Sequence, residues 1–317
     1  MMRIELEKAV EEVRKRGAKR VGIQLPDGLR RRAFEIAEEI EKKCNSEVLI
    51  SGNTCFGACD IDVRLLSEVD VLLHFAHSPV GSSDKIIFVR VSHDFELLPL
   101  LSEALSLLGQ RVCITTTAQH LEALETARRF LEENGREVVI KRSRRTGNPG
   151  EVLGCDFSAV DRNADILFIG TGDFHPLGIS LFAEKNVVAV DPLKNEVRIL
   201  NGDEIRRRRY LLISKCLSFE KFGILVSSKP YQNRMSLARE LKRRAVEKGL
   251  RAEIIMFDTI LFDALQNFDA EAYVNTACPR ITYDDVELHP KPVLSPDEFL
   301  VILGERSFEE LSVDQMH

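Results

Sequence analysis

The sequence predicts an α/β fold made of three similar small α/β domains with parallel sheets, arranged in pseudo-threefold fashion around a central site. Three observations carry that expectation. Short apolar runs of strand length alternate with amphipathic helical stretches, the order found in parallel-sheet folds. The alternation recurs as a unit three times. A chain of 317 residues also has room for two or three domains of ordinary size, with a sizeable buried core. The alternative is a single long doubly wound sheet. The recurrence favours three units, with boundaries expected at 1–95, 96–200 and 201–317.

The first unit begins with "LEKAVEEVRKRGAKRVGIQLPDGLRRRAFEIAEEIEKK" and closes on "SEVLIS", in the order helix, strand, turn, helix, strand. The second runs "LLPLLSEALSLLGQRVCITTTAQHLEALETARRFLEENGREVVIK" and the third "IRRRRYLLISKCLSFEKFGILVSSKPYQNRMSLARELKRRAVEKGLRAEIIMF". In each, an apolar strand (Val21–Leu25, Val112–Thr116, Phe222–Val226) meets turn residues and feeds an amphipathic helix. A later strand completes each unit, within "DVLLHFAHSP", "DILFIGTGDFHPLG" and "AYVNTACPRI". The copies share pattern far more than identity.

Composition narrows the function classes. At 44% hydrophobic and 30% charged the chain is that of an ordinary globular protein. A net charge of −6 argues against a dedicated nucleic-acid binder. The runs "RRRR" (206–209) and "KRSRR" (141–145) are expected on solvated faces, the second also as a docking surface for an acidic partner. The start "MMRIELEKAVEEVRKRGAKR" reads as a charged amphipathic helix rather than a secretory signal. No apolar run approaches the about 20 residues that cross a bilayer. A cytoplasmic protein with no membrane association is therefore expected. There the seven cysteines stay reduced and do not form a disulfide framework.

Ligands of open parallel sheets gather beyond the carboxyl ends of the strands. Cys59 lies there after "EVLIS", Cys155 after "EVVIK" and a Gly/Arg-rich loop, and Cys278 at the end of "AYVNT". The third differs in that its cysteine follows the third strand of its unit. Cys44 at a helix end, Cys113 in a strand and Cys216 on a helix are expected to pack as small hydrophobes. Cys55, in "GNTCFGACDID", is either an accessory thiol or a buried neighbour. Three converging thiolates suit an iron–sulfur cluster with one open iron. The residues alone also allow three unrelated loop cysteines, or a zinc site completed by His77 or His175.

Five motifs in order, "IQLPDGLR", "CFGACDID", "VLGCDF", "GTGDFHPLG" and "NTACPRI", resemble the archaeal 2-(3-amino-3-carboxypropyl)histidine synthase family of diphthamide biosynthesis. The resemblance covers about residues 20 to 290. It implies three homologous domains that each give one cysteine, here Cys59, Cys155 and Cys278, to a central 4Fe-4S cluster, with Cys55 not binding iron. It further implies S-adenosylmethionine as co-substrate, an electron donor, and translation elongation factor 2 as protein substrate. The bond from sulfur to the methionyl Cγ is cleaved reductively, and the 3-amino-3-carboxypropyl group is transferred to C2 of a histidine. A homodimer is implied as well, and direct nucleic-acid binding is not expected. The common radical signature C-x3-C-x2-C is absent, since Asp62 stands at its third place.

Candidate contacts to S-adenosylmethionine follow from chemistry. Arg280, two residues after Cys278, suits the carboxylate, although a structural ion pair explains it equally well. Ser228, Lys229 and Gln232 sit in "SSKPYQNR" between a strand and a helix, and Gly172 lies in "GTGDFHPLG" where backbone can approach a ligand. His175 is the candidate acid or base near the accepting imidazole. Gln24 and Asp191 end strands and either line the cavity or cap helices. No Walker, G-x-S-x-G or H-E-x-x-H motif is present. The competing readings are a quinolinate synthase-like 4Fe-4S enzyme, whose open iron acts as a Lewis acid, and a non-enzymatic metal-binding protein.

Overall fold

The computed structural model describes residues 2–81, 83–284 and 289–316. The first stretch of chain folds as β1 (Met2–Ile4), α1 (Leu6–Arg16), β2 (Arg20–Gln24), α2 (Ala33–Cys44), β3 (Glu47–Ile50), α3 (Val63–Glu68), β4 (Val71–Phe75), β5 (Ile86–Val89) and β6 (Val91–His93). Next come α4 (Leu98–Leu105), β7 (Arg111–Thr116), α5 (Ala123–Glu133), β8 (Glu137–Val139), β9 (Asp165–Ile169), α6 (Phe174–Ala183), β10 (Val187–Asp191) and β11 (Glu196–Leu200). The last stretch gives α7 (Asp203–Cys216), β12 (Lys221–Ser227), α8 (Met235–Glu247), β13 (Arg251–Phe257), β14 (Ala272–Asn275), α9 (Arg280–Tyr283), β15 (Val293–Leu294) and α10 (Pro296–Ile302).

Three sheets share one strand order. They run β3-β2-β4-β5, β8-β7-β9-β10-β11 and β13-β12-β14-β15. Every pairing in them is parallel except β10 with β11. In each sheet the first strand in sequence lies between the second and the third, so the order reverses there and opens a crevice at the strand ends. The central strands are largely apolar because neighbours cover both faces; β4 and β10 are buried along their whole length, His74 and Asp191 included. Amphipathic helices supply that cover: α1 turns Leu6, Ala9, Val10 and Val13 inward and stops at Gly17, whose φ of 62° suits a residue without a Cβ. The expectation of repeated α/β units with parallel sheets thus matches the architecture.

Three local expectations are corrected. Residues 2–4 are not helical: they form β1, antiparallel to β6. The chain after Asp191 turns back through Asn195, at φ 57°, into an antiparallel β11 that no alternation pattern announced. The run 206–209 is not wholly solvated. Arg209 is 5% exposed and meets Glu298 of α10, Nε to Oε1 at 2.8 Å with a second contact from Nη2 to Oε2. It also donates to the carbonyls of Thr282 (3.1 Å) and Val293 (2.8 Å). Helical periodicity explains the exception: on a 3.6-residue repeat, one of four consecutive arginines must face inward with Ile213 and Cys216.

Residues 312–316 cross from the third sheet to the second. Asp314 pairs with both Nη atoms of Arg234 (2.7 and 2.6 Å), and Arg234 also donates to the carbonyls of Thr276 (2.9 Å) and Ala277 (3.0 Å). Gln315 Oε1 accepts from the Phe157 amide at 2.9 Å, and the Met316 amide donates to the Cys155 carbonyl at 2.9 Å. This one segment therefore joins the loop before Cys278 to the loop of Cys155.

Candidate metal centre

The three sheets bring Cys59, Cys155 and Cys278 together at their carboxyl-end loops. Contacts link these loops: Gln232 reaches Cys59 and its neighbour Tyr231 meets Arg145, which reaches Cys155, while Gly154 lies against Arg280, two residues after Cys278. Burial pushes the Cys155 thiol up to about 11, with Cys59 adding to the rise. Burial likewise raises Cys278 far above the ordinary thiol range, and both Cys59 and Cys155 contribute. Without a cation among them such thiols stay protonated; a cation would convert them to thiolates. Three of the other cysteines behave as packing residues: Cys113 and Cys216 are fully buried, and Cys44 points its sulfur at the Val10 carbonyl, 3.7 Å away.

Two N–H donors face these sulfurs. Arg145 Nη1 lies 3.1 Å from Cys155 Sγ, and its Nη2 reaches the Tyr231 carbonyl at 3.4 Å. Gln232 Nε2 lies 3.4 Å from Cys59 Sγ. The basic run 141–145 is therefore not a uniform solvated surface, because its last guanidinium turns inward to the thiol site. The second and third units each thus supply a donor to a sulfur, Gln232 across to a neighbouring unit.

The other residues singled out from the sequence divide into two groups. Arg280 stays at the site: its guanidinium lies 3.6 Å over the Phe174 ring and its Nε donates to Asp284 at 2.8 Å. His175 is close by, stacked on Phe168 (6.0 Å) and edge-on to Phe174 (4.8 Å). Burial, then the positive charge of Arg280, pushes it down to about 3, so its imidazole is neutral at physiological pH. Lys229 is committed to Asp60, Nζ to Oδ1 at 2.6 Å, with both side chains buried; it anchors the 55–62 loop to the third unit. Ser228 turns to solvent and donates to Asp258 at 3.0 Å. Gly172, at φ 81°, gives its amide to Asp191 at 3.1 Å. Asp191 also accepts from the Leu193 and Lys194 amides, so it caps turns rather than lining a cavity.

A second group of donor atoms escaped sequence reasoning as a group. Cys55 Sγ, His74 and His77 each offer a ligand atom, and these atoms lie within 4.8 Å of one another. The signal was present: "HFAH" places two histidines three apart at the end of β4, in the unit that holds "CFGAC". Missing was the register that sets β4 beside β2.

Two outcomes follow from these contacts. A Cβ on Gly154 would sit 2.4 Å from Phe174 Cζ and 2.9 Å from Arg280 Cδ. Gly154→Ala is therefore expected to push both side chains aside at a loss of about 1–3 kcal/mol, read as a lowered urea midpoint. The second concerns acid. His120, 3% exposed, is pushed down by burial to about 4, and His175 to about 3. Both folded values lie below the unfolded value near 6.5. The contribution of these two histidines is accordingly constant above about pH 6.5 and falls as pH drops toward 4, by up to about 1.4 kcal/mol per pH unit for each group. Urea unfolding at pH 7 and pH 5 checks this, and His120→Asn should flatten part of the slope.

Among the described residues no helix is long and apolar enough to cross a membrane. The family model described as diphthamide synthesis protein matches residues 25–312. A protein named 2-(3-amino-3-carboxypropyl)histidine synthase from Pyrococcus horikoshii is 38% identical over 97% of this chain and 92% of its own length. One of the same name from Methanocaldococcus jannaschii is 30% identical over 99% and 94%. The crystal structure of Dph2 from P. horikoshii superimposes with a TM-score of 0.92 at 36% identity, covering 100% of this chain and 95% of that one. A crystal structure of that protein with a 4Fe-4S cluster gives 0.91, over 99% and 94%. The five motifs, the threefold strand order and the converging thiols all agree with these matches: the chain belongs to the diphthamide synthesis protein family.

Proposed function

We propose that this protein carries out the first step of diphthamide biosynthesis, moving the 3-amino-3-carboxypropyl group of S-adenosylmethionine to C2 of a histidine on translation elongation factor 2. What supports this reading is that the loops of Cys59, Cys155 and Cys278, one in each proposed unit (1–95, 96–200, 201–317), are linked through Gln232, Arg145 and Arg280, in a family whose relatives include a Dph2 solved with a 4Fe-4S cluster. The donor set suits such a cluster: three soft sulfurs from three loops, with N–H groups aimed at two of them. When bound, the cluster supplies an electron and one open iron to the sulfonium.

The chain's own residues do the rest. Arg145 and Gln232 donate to the sulfurs of Cys155 and Cys59 and stabilise their negative charge. Arg280, with its Nε tied to Asp284 and its face against Phe174, holds its Nη edge in a fixed direction for the substrate carboxylate. His175, neutral beside it, presents a polar edge without competing for that carboxylate. Lys229 acts through Asp60 by holding the Cys59 loop, while Ser228 and Gly172 shape the rim loops that would enclose ribose and adenine. One electron enters to break the carbon–sulfur bond; an electron and a proton leave when the imidazole regains aromaticity. The working protein is expected to be a cytoplasmic homodimer served by an electron donor.

The test is anaerobic reconstitution with iron and sulfide, then incubation with dithionite, S-adenosylmethionine and elongation factor 2. Release of methylthioadenosine with gain of one aminocarboxypropyl group on a single histidine is expected. An intact sulfonium would refute the reading. The family match leaves no support for the quinolinate synthase-like alternative.

A further inference from the structure

Gln24 fixes the chemistry of the histidine pair at the end of β4. Its Nε2 donates to the carbonyls of Asp60 (2.7 Å) and Thr54 (3.5 Å), so the opposite face of its amide is the oxygen. That Oε1 accepts from the Asp62 amide at 3.2 Å and lies 3.2 Å from His74 Nδ1. His74 must therefore carry its proton on Nδ1 and present a lone pair at Nε2. This is the arrangement of a metal-binding histidine whose other nitrogen is held by an acceptor behind it.

Two further donor atoms face that lone pair. His77 Nδ1 stands 2.9 Å from it and Cys55 Sγ 3.9 Å from it. His74 and Cys55 are buried, at 0% and 5% exposure, and His77 is half-buried. The backbone is bent to make the meeting possible. Ala76, between the histidines, sits at φ 66°, a left-handed conformation that costs a residue with a Cβ about 1–2 kcal/mol. Its carbonyl is pinned by Gln119 Nε2 at 2.7 Å.

We propose that Cys55, His74 and His77 form a binding site for one divalent zinc ion, separate from the three-thiol centre. One thiolate and two imidazoles are the donors zinc prefers, and three protein ligands leave a fourth position for water. On binding, the ion takes the place between the two nitrogens: the proton on His77 Nδ1 moves through solvent to His77 Nε2, so both imidazoles stay neutral, and the Cys55 thiol releases its proton to solvent. Asp60, already paired to Lys229, lies within electrostatic reach of Cys55 and His77 and offsets the remaining positive charge. Nothing here depends on the iron centre or on the proposed reaction.

The experiment titrates the full-length protein with Zn²⁺ against a chromophoric chelator, and in parallel with Co²⁺, both before and after anaerobic loading with iron and sulfide. After loading, one zinc per chain is expected, and before it up to two, because the unloaded thiol centre also offers thiolates; in the loaded protein the cobalt difference spectrum should show tetrahedral visible bands with a thiolate charge-transfer band in the near ultraviolet. Cys55→Ser should abolish that charge-transfer band while iron and sulfide content is unchanged. Gln24→Leu, which removes the acceptor behind His74 together with the Gln24 bonds to Thr54, Asp60 and Asp62, should weaken zinc about 10- to 100-fold. Far-UV circular dichroism establishes that each variant is folded. A cobalt spectrum unaltered by Cys55→Ser, or substoichiometric zinc, overturns the proposal. So does zinc binding lost only on Cys59→Ser, or iron and zinc lost together in every variant.

Discussion

Exchanging Cys278 for serine is expected to strip iron from the reconstituted protein and end methylthioadenosine release, with the three sheets still folded. The turn that carries the thiol is fixed without the sulfur. Asn275 donates to the Cys278 carbonyl at 2.8 Å and to Thr282 Oγ1 at 2.9 Å, and accepts from the Ala277 amide at 2.9 Å. Arg234 holds the two carbonyls just upstream. The serine hydroxyl would thus occupy nearly the same place, but it is a hard donor that does not ionise near neutral pH, and iron–sulfur centres select thiolate. With two sulfurs left, a three-ligand centre with one open iron cannot form. Iron and sulfide analysis, visible absorption and far-UV circular dichroism check the three parts of the outcome separately. Full iron content in the variant would remove Cys278 from the centre and the proposed function with it.

Glu298→Ala should cost about 3–5 kcal/mol, the largest stability effect expected of any single change here. Glu298 does two jobs. It pairs with the buried guanidinium of Arg209, and it closes the capping box of α10, where its side chain accepts from the Ser295 amide at 2.7 Å. Removing it leaves a guanidinium deep in the third unit with the carbonyls of Thr282 and Val293 and the Tyr283 ring 5.7 Å away, none of which neutralises its charge. Urea unfolding of the single variant and of Arg209→Met with Glu298→Leu separates the two contributions. The double replacement removes the charge and should recover much of the loss. A single variant within about 1 kcal/mol of the parent would show that the pair is not desolvated as its contacts require.

Much of this was legible in the residues because parallel central strands are nearly continuous apolar runs. "RVGIQ", "RVCITT" and "KFGILVS" could be located as strands, and each became the inner strand of its sheet. The cysteine loops were placed by the same logic, since strand ends are where such sheets collect ligands. What escaped was everything that depends on a partner far away in sequence. β1 has three residues and exists only because β6 offers an edge, 89 positions on. Arg145 and Arg209 sit in runs that look like surface charge, and only the placement of Cys155 and Glu298 shows them turned inward. Lys229 reads in the sequence as a loop residue beside a helix start, and its pairing with Asp60 from another unit is visible only in the fold. Gln24 looked like a strand end until it proved to be the brace behind His74.

The Asp314–Met316 crossing has a consequence for biogenesis. These residues are translated after every sulfur of the centre, so a nascent chain on the ribosome holds all three thiols before the loop of Cys155 has its last fastening. Metal delivered early would meet a site whose walls still move, whereas delivery after this segment has docked meets a preformed one. Iron is therefore expected to be held best once this segment has docked, and breaking its contacts by Gln315→Ala with Asp314→Ala should lower iron retention under dialysis.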